Sequence, residues 1–184
     1  MRLRHGTPFL YDDAGDIAGL RDPDGSELYL VPNLGVMFAT STQTDGSGAA
    51  PMTFGTQAIS RGVTLAEGSK VYVDRTGLYE WQLSVHVHNA DSQAHLFELW
   101  GRINGVDIPN SRFIYSVPSS HGGSPGAIIP SQNFWLAQNA GDYVQIMWAT
   151  DDPLVTIAYH AAEAGKPVSP SLLLTVKEIT PTRG

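Results

Sequence analysis

Residues 77–90, GLYEWQLSVHVHNA, alternate with a period of two: Tyr79, Trp81, Leu83, Val85 and Val87 fall on one side. Glu80, Gln82, Ser84, His86 and His88 fall on the other. That period marks a strand with one buried face. The same alternation predicts strands over 35–41, 70–74, 77–88, 95–103, 106–116, 133–137, 142–150, 153–160 and 170–179. No stretch keeps an i, i+3, i+4, i+7 apolar pattern for three turns, and 161–166 (AAEAGK) is too short to hold a helix alone. Asn104-Gly105 is a two-residue hairpin signal, while NAGD at 139–142 and TDDP at 150–153 have turn chemistry. Short strands punctuated this regularly predict an all-β sandwich or barrel.

The head of the chain has a different rhythm. Three very short strands are expected near 8–11, 16–20 and 27–31, separated by turns at Asp13-Ala14-Gly15 and Asp22-Pro23-Asp24-Gly25. A segment this small cannot bury enough apolar area alone, and with no cysteine or metal cluster its staple has to be protein. Residues 1–33 are therefore expected to form a β-arm for anchoring or assembly, with contacts through Phe9, Tyr11, Ile17, Leu20 and Leu28. Residues 34–184 are expected to form the sandwich. Polar loops are expected at 42–50 and 117–131.

Composition narrows the classes. Charged residues make up 16% of the chain, so much of the surface has to be uncharged, which favours extensive contact surfaces over a lone charged monomer. A net charge of −7 with 11 scattered basic residues argues against nucleic acid and against anionic membranes as partners. No apolar run approaches a membrane span, and MRLRHGTPF lacks the apolar core of a secretory signal. Cysteine is absent, so disulfides and thiolate chemistry are excluded. None of the asparagines begins an N-x-Ser/Thr acceptor.

The candidate chemistry is sparse. Gly122-Gly123-Ser124-Pro125-Gly126 matches G-x-S-x-G, but Pro125 has no N–H to offer an oxyanion and no helix is expected to follow. His86 and His88 share a side of their strand, and with His160 would make a three-imidazole group of the kind jelly-roll metalloenzymes use. The competing reading is a polar strand face at a subunit contact, and no metal or cofactor is expected. Asp22, Asp24, Asp151 and Asp152 read as turn formers, since neither pair has calcium-loop spacing. Trp81 and Trp148 fall on apolar sides and are expected in the core. Trp100 falls on the opposite side to Phe97 and Leu99, as an outward contact. Glu80 and Glu98 lie outward on separate strands and do not form a recognisable carboxylate pair.

Four stretches, in order, resemble the C1q/TNF-like jelly roll: RTGLYEWQLSV (Gly77, Tyr79), LWGRINGVDIPNS (Asn104, Gly105), AGDYVQIMW (Gly141, Asp142, Tyr143) and PSLLLTVKEI (Pro170, Ser171). The resemblance covers about two thirds of the chain. It implies a ten-stranded sandwich that assembles as a homotrimer and binds rather than catalyses. No collagen-like stalk precedes it, and FLYDDAGDIAGLRDPDGSELYL is similar to short N-terminal arms of tailed-bacteriophage structural proteins. The expectation is a non-enzymatic capsid decoration protein on the outer surface of a virion, assembled in the host cytoplasm and bound to the major capsid protein or another virion protein. Its trimer or exposed contacts would involve His86, His88, Trp100 and Tyr143. The alternatives are a tail-fibre tip recognising a host glycan or protein, and a metal-binding jelly-roll enzyme.

Overall fold

The computed structural model describes residues 9–11, 17–21, 27–29, 31–44 and 48–181, although the side chains at 17, 18, 27–29, 180 and 181 are not described. Its strands begin with β1 (Phe9–Tyr11), β2 (Ile17–Arg21), β3 (Glu27–Tyr29), β4 (Leu34–Ala39), β5 (Ala50–Pro51) and β6 (Thr56–Arg61). Next come β7 (Val63–Ala66), β8 (Lys70–Val73), β9 (Gly77–Val85), β10 (Val87–Asn89), β11 (His95–Ile103) and β12 (Val106–Asp107). The last are β13 (Phe113–Val117), β14 (Gly126–Ile128), β15 (Ser131–Gln138), β16 (Tyr143–Thr150), β17 (Val155–Ile157) and β18 (Leu172–Pro181). There is no helix among the described residues.

Two sheets form the sandwich. One runs β15-β9-β18-β4-β6; the other runs β12-β11-β16-β8-β7, with β13 also beside β11 and β5 also beside β16. Every described pairing between strands is antiparallel. The chain crosses between sheets repeatedly, from β9 to β11, from β15 to β16 and from β16 to β18, which is the jelly-roll path. The fold is all-β, as expected.

The alternating residues fill the space between. Tyr79, Trp81, Leu83 and Val85 of β9 are buried, as are Leu172, Leu174 and Val176 of β18 and Met37 of β4. They meet Phe97 and Leu99 of β11 and Val144, Ile146 and Trp148 of β16 in one continuous core. Each such side chain contributes roughly 1.5–3 kcal/mol by leaving water. The buried indole of Trp81 keeps a polar partner, donating from Nε1 to Gln138 Oε1 at 2.9 Å.

The Asn104-Gly105 turn is as expected, with both residues at positive φ (49° and 84°) and Ile103 paired with Val106. Other expectations need correction. The strand expected over 77–88 breaks at His86: β9 ends there, and β10 becomes the centre of a separate sheet, β14-β10-β17, at one end of the sandwich. His86 still hydrogen-bonds at the break, its N–H donating to Ser171 O (2.9 Å) and its carbonyl accepting from Ala158 N (2.8 Å). The loop expected over 117–131 contains β14, whose Gly126 lies against the Pro118 carbonyl, where a Cβ would come within 1.8 Å. The strand over 153–160 shrinks to Val155–Ile157, and that over 106–116 splits into β12 and β13. Gln43, expected in a loose loop, exchanges two backbone bonds with Ile157 (2.9 and 3.1 Å). Strand β6, which pairs with β4 at the edge of the five-stranded sheet, was not foreseen, because it is exposed at most positions.

At the head, β1, β2 and β3 form a three-stranded sheet that agrees with the expected rhythm. The turns expected at 13–15 and 22–25 lie outside the described residues.

Candidate functional site

Side chains of the five-stranded sheet that point away from the core form a broad face. The register aligns Trp135, Glu80, Lys177 and Leu34 in one row, and Asn133, Gln82, Thr175, Val36 and Ile59 in the next. A third row holds Ser131, Ser84, Leu173, Phe38 and Thr56. The second and third rows contain no charge. Leu173, Ile59 and Ile179 each remain 41% exposed, and Trp135 at the sheet edge is 67% exposed. A charge-free centre with apolar groups and a charged margin is the composition of an interface core. Alternation located this face through Glu80, Gln82 and Ser84, the side on which the sequence places His86 and His88 at an expected subunit contact.

At the start of β9 a buried polar group fastens Val31 and Asn33, which precede β4. Asn33, 2% exposed, donates from its backbone N–H to Glu178 Oε2 (2.8 Å), and Glu178 N donates back to Asn33 O (2.9 Å). Arg75 donates from Nη2 to Glu178 Oε2 (2.5 Å), to Val31 O (3.0 Å) and to Asn33 Oδ1. Asn33 Nδ2 donates to Tyr79 Oη (3.0 Å), whose hydroxyl donates to Arg75 O (2.8 Å). Burial pushes the Tyr79 phenol up to about 12. Of the residues expected to make arm contacts, Phe9 and Tyr11 of β1 are 41% and 55% exposed and Leu20 of β2 is half-buried. Ile17 and Leu28 lie in β2 and β3 with side chains that are not described.

The sequence-expected contact residues separate into two places. His86 and His88 do meet His160, with ring centroids 5.9 and 4.7 Å apart, at the end of the sandwich where β10 crosses. Burial first, and then the neighbouring His160, lowers the pKa of both His86 and His88, so neutral imidazoles are favoured there. Trp100 and Tyr143 lie on the other sheet. Trp100, half-buried, donates Nε1–H to Asp107 Oδ1 (2.9 Å), and Arg102 Nε donates to the same oxygen (2.7 Å). These two donors hold the Asp107 carboxyl below the usual carboxylate range. Tyr143 packs against Tyr72 (5.3 Å) with Lys70 above its ring. Between Trp100, Phe113, Phe134 and Trp135 an apolar cavity of about 210 Å³ opens where the sheets part.

Ser124 sits in a tight turn closed by hydrogen bonds between the backbones of His121 and Ser124, so the G-x-S-x-G match is a loop. Asp151 and Asp152 form the expected turn, with Asp152 Oδ1 accepting from Leu154 N (2.8 Å). They also face His95, which the sequence reading treated as the first residue of a strand. His95 Nδ1 is 3.3 Å from Asp151 Oδ1, and its Nε2 is 3.6 Å from Asp91 Oδ1 and 3.7 Å from Asp152 Oδ2. Asp91, His95 and Asp152 each present a ligand atom within 4.8 Å of the others, a set that can hold a metal ion. The missed signal is register: Phe97 pairs with Thr150, and two residues further along, His95 comes opposite Asp152.

No family model matches the chain, and no curated protein matches it. Among solved structures it is similar to one described as "Structure of Eiger TNF from S. frugiperda", with a TM-score of 0.56 and 11% identity. The match covers 84% of this chain and 97% of that one. Identity that low carries the fold and nothing further. The chain has a TNF/C1q-like jelly-roll fold.

Proposed function

We propose that this chain is a non-enzymatic structural protein that assembles as a homotrimer through the five-stranded sheet and uses its N-terminal segment to grip a larger assembly. The carrying observation is the uncharged pair of rows in which Leu173 and Ile59 are exposed and Val36 and Phe38 half-buried, on a sheet whose opposite face packs into the core. A stable interface removes about 800 Å² per partner from water, and a five-stranded face offers that scale of area. Three identical faces closing around an axis satisfy the need without leaving a fourth exposed.

The finer reading is a decoration protein on the head of a tailed bacteriophage. It is supported by the β1-β2-β3 sheet with its exposed Phe9 and Tyr11, by the absence of cysteine and by the low charge. Three arms on one trimer share the load, because linked contacts raise avidity roughly 10²–10⁴-fold without a strong individual contact. A tail-fibre tip is the second reading. It is favoured by the cavity beside Trp100 and Trp135, although about 210 Å³ is small against the usual 300 Å³ or more of ligand sites.

Sedimentation equilibrium tests the trimer: wild type at three times the chain mass, and Leu173→Asp as folded monomer. A monomeric wild type overturns the reading. Deleting residues 1–30, which leaves Val31 and Asn33 in place beside Arg75 and Glu178, is expected to leave trimers intact and abolish binding to purified phage heads. Undiminished binding refutes the arm's role, and binding to host surface glycan instead of heads selects the second reading.

A further inference from the structure

We propose that Asp91, His95 and Asp152 form a zinc site that ties the turn after β10 to the turn after β16. The donor spacing comes first. His95 Nε2 stands 3.6 Å from Asp91 Oδ1 and 3.7 Å from Asp152 Oδ2. Both distances are too long for hydrogen bonds. Donors about 2.0–2.2 Å from a tetrahedral zinc are separated by about 3.3–3.6 Å, so the two nitrogen–oxygen distances are already close to ligand spacing, and the two carboxylate oxygens lie within 4.8 Å of each other.

The state of the ring supplies the second observation. Nε2 of His95 is shielded from solvent and has no hydrogen-bond partner. A buried ring nitrogen without a partner is costly, and one directed between two carboxylates calls for a cation. The other nitrogen, Nδ1, faces Asp151 Oδ1 at 3.3 Å. With its proton on Nδ1 the ring would face this carboxylate and leave the Nε2 lone pair for a metal.

The carboxylates are held independently of any ion. Asp91 N donates to Asn89 Oδ1 (2.8 Å), and Asn89, fully buried, anchors its amide on Gln93 O and Pro118 O. Asp91 Oδ1 also accepts from Gln93 N (2.7 Å). Asp152 uses Oδ1 for Leu154 N and keeps Oδ2 for the site. Asp151 Oδ1 accepts from Leu96 N (2.8 Å), which aligns it behind the imidazole. Side chains of Asp91 and Asp152 are about a quarter exposed (27% and 26%), which leaves a path for the ion and a position for water.

Donor chemistry selects the metal. Calcium takes six to eight oxygen ligands and magnesium keeps a nearly complete octahedron of oxygens, whereas one imidazole and two carboxylates suit zinc. A proton on His95 is the competing occupant. It would leave Nε2–H beyond hydrogen-bond reach of both carboxylates, whereas zinc contacts all three donors.

The test uses the full chain after chelator treatment and dialysis, titrated with Zn²⁺ by calorimetry and with Co²⁺ by visible absorption. One ion per chain, with the intense visible band of tetrahedral cobalt, is expected. His95→Gln and Asp152→Asn are expected to abolish both signals with an unchanged circular dichroism spectrum. Asp151→Asn should weaken zinc about 10–100-fold, the usual effect of losing the carboxylate behind a ligating histidine. His160→Ala should bind as wild type, which separates this site from the His86–His88–His160 group. No saturable uptake, uptake unaffected by His95→Gln or Asp152→Asn, or binding of Ca²⁺ but not Zn²⁺ each overturns the proposal. Should His95→Gln fail to fold, Asp152→Asn and the wild-type cobalt spectrum decide.

Discussion

Replacing Arg75 with methionine keeps most of its volume and removes the guanidinium paired with Glu178, whose side chain is 1% exposed. The carboxylate Oε2 then keeps a single donor, Asn33 N at 2.8 Å. Breaking a buried ion pair from one side costs about 3–5 kcal/mol, because the remaining charge is left without compensation. For a chain of this length each kcal/mol moves the midpoint by about 2–4 °C, so Arg75→Met should melt about 6–20 °C lower. The double variant Arg75→Met/Glu178→Gln removes both charges yet keeps a carbonyl for Asn33 N–H, and should recover most of that loss. Thermal melts by circular dichroism at one fixed protein concentration measure both effects, since assembly makes the midpoint concentration-dependent. A single variant within 2 °C of wild type, expected only for a loss of about 1 kcal/mol or less, refutes the account. So does a double variant no more stable than the single.

Two further outcomes follow from other parts of the fold. His86 and His88 have lowered folded pKa values, so the unfolded chain binds protons first as the pH falls; stability should be full above about pH 6.5 and decline below it. Melts across that range should show the decline, and His160→Ala should make it shallower; a flat profile, or one rising in acid, contradicts the sign. Gly126→Ala drives a Cβ to 1.8 Å from Pro118 O, a backbone atom that cannot step aside, and should cost about 1–3 kcal/mol or more in urea unfolding. Gly48→Ala, with nothing within 4 Å, should be neutral, and equal losses at the two positions would discredit the packing argument.

The alternation that marked β9, β11, β16 and β18 was readable because each buries one face, and the period follows directly from that. Trp81 and Trp148 are in the core at 0% and 1% exposure, and Trp100 turns outward beside Asp107, as their positions required. What could not be read depends on long-range register. The break at His86 lies inside an unbroken apolar alternation, since Val87 remains buried while changing sheets. Strand β6 carries little apolar signal because it sits at an edge. Asn33, Arg75 and Glu178 are 42 and 103 residues apart along the chain, and only the pairing of β18 with β4 and β9 brings them together. His95 and Asp152 meet for the same kind of reason. A three-imidazole group was visible as a pattern because two of its members, His86 and His88, stand two residues apart in one alternating stretch.

The two polar groups flank β9 and β10, with Tyr79 near the start of β9 and Asn89 at the end of β10, ten residues further along the chain. Without disulfides, each end of the sandwich is held by side chains that satisfy one another: Asn33, Arg75 and Glu178 where the arm departs, and Asp91, His95 and the Asp151-Asp152 turn at the far end. They share no partner, so their contributions should add to within about 0.3–0.5 kcal/mol. The rise in melting midpoint produced by zinc should therefore be the same in Arg75→Met as in wild type, after allowing for the lower starting stability. A zinc response that vanishes in Arg75→Met would mean that the ends communicate through β9 and β10. The arm's anchorage and the far turn would then be one coupled element rather than two separate fastenings.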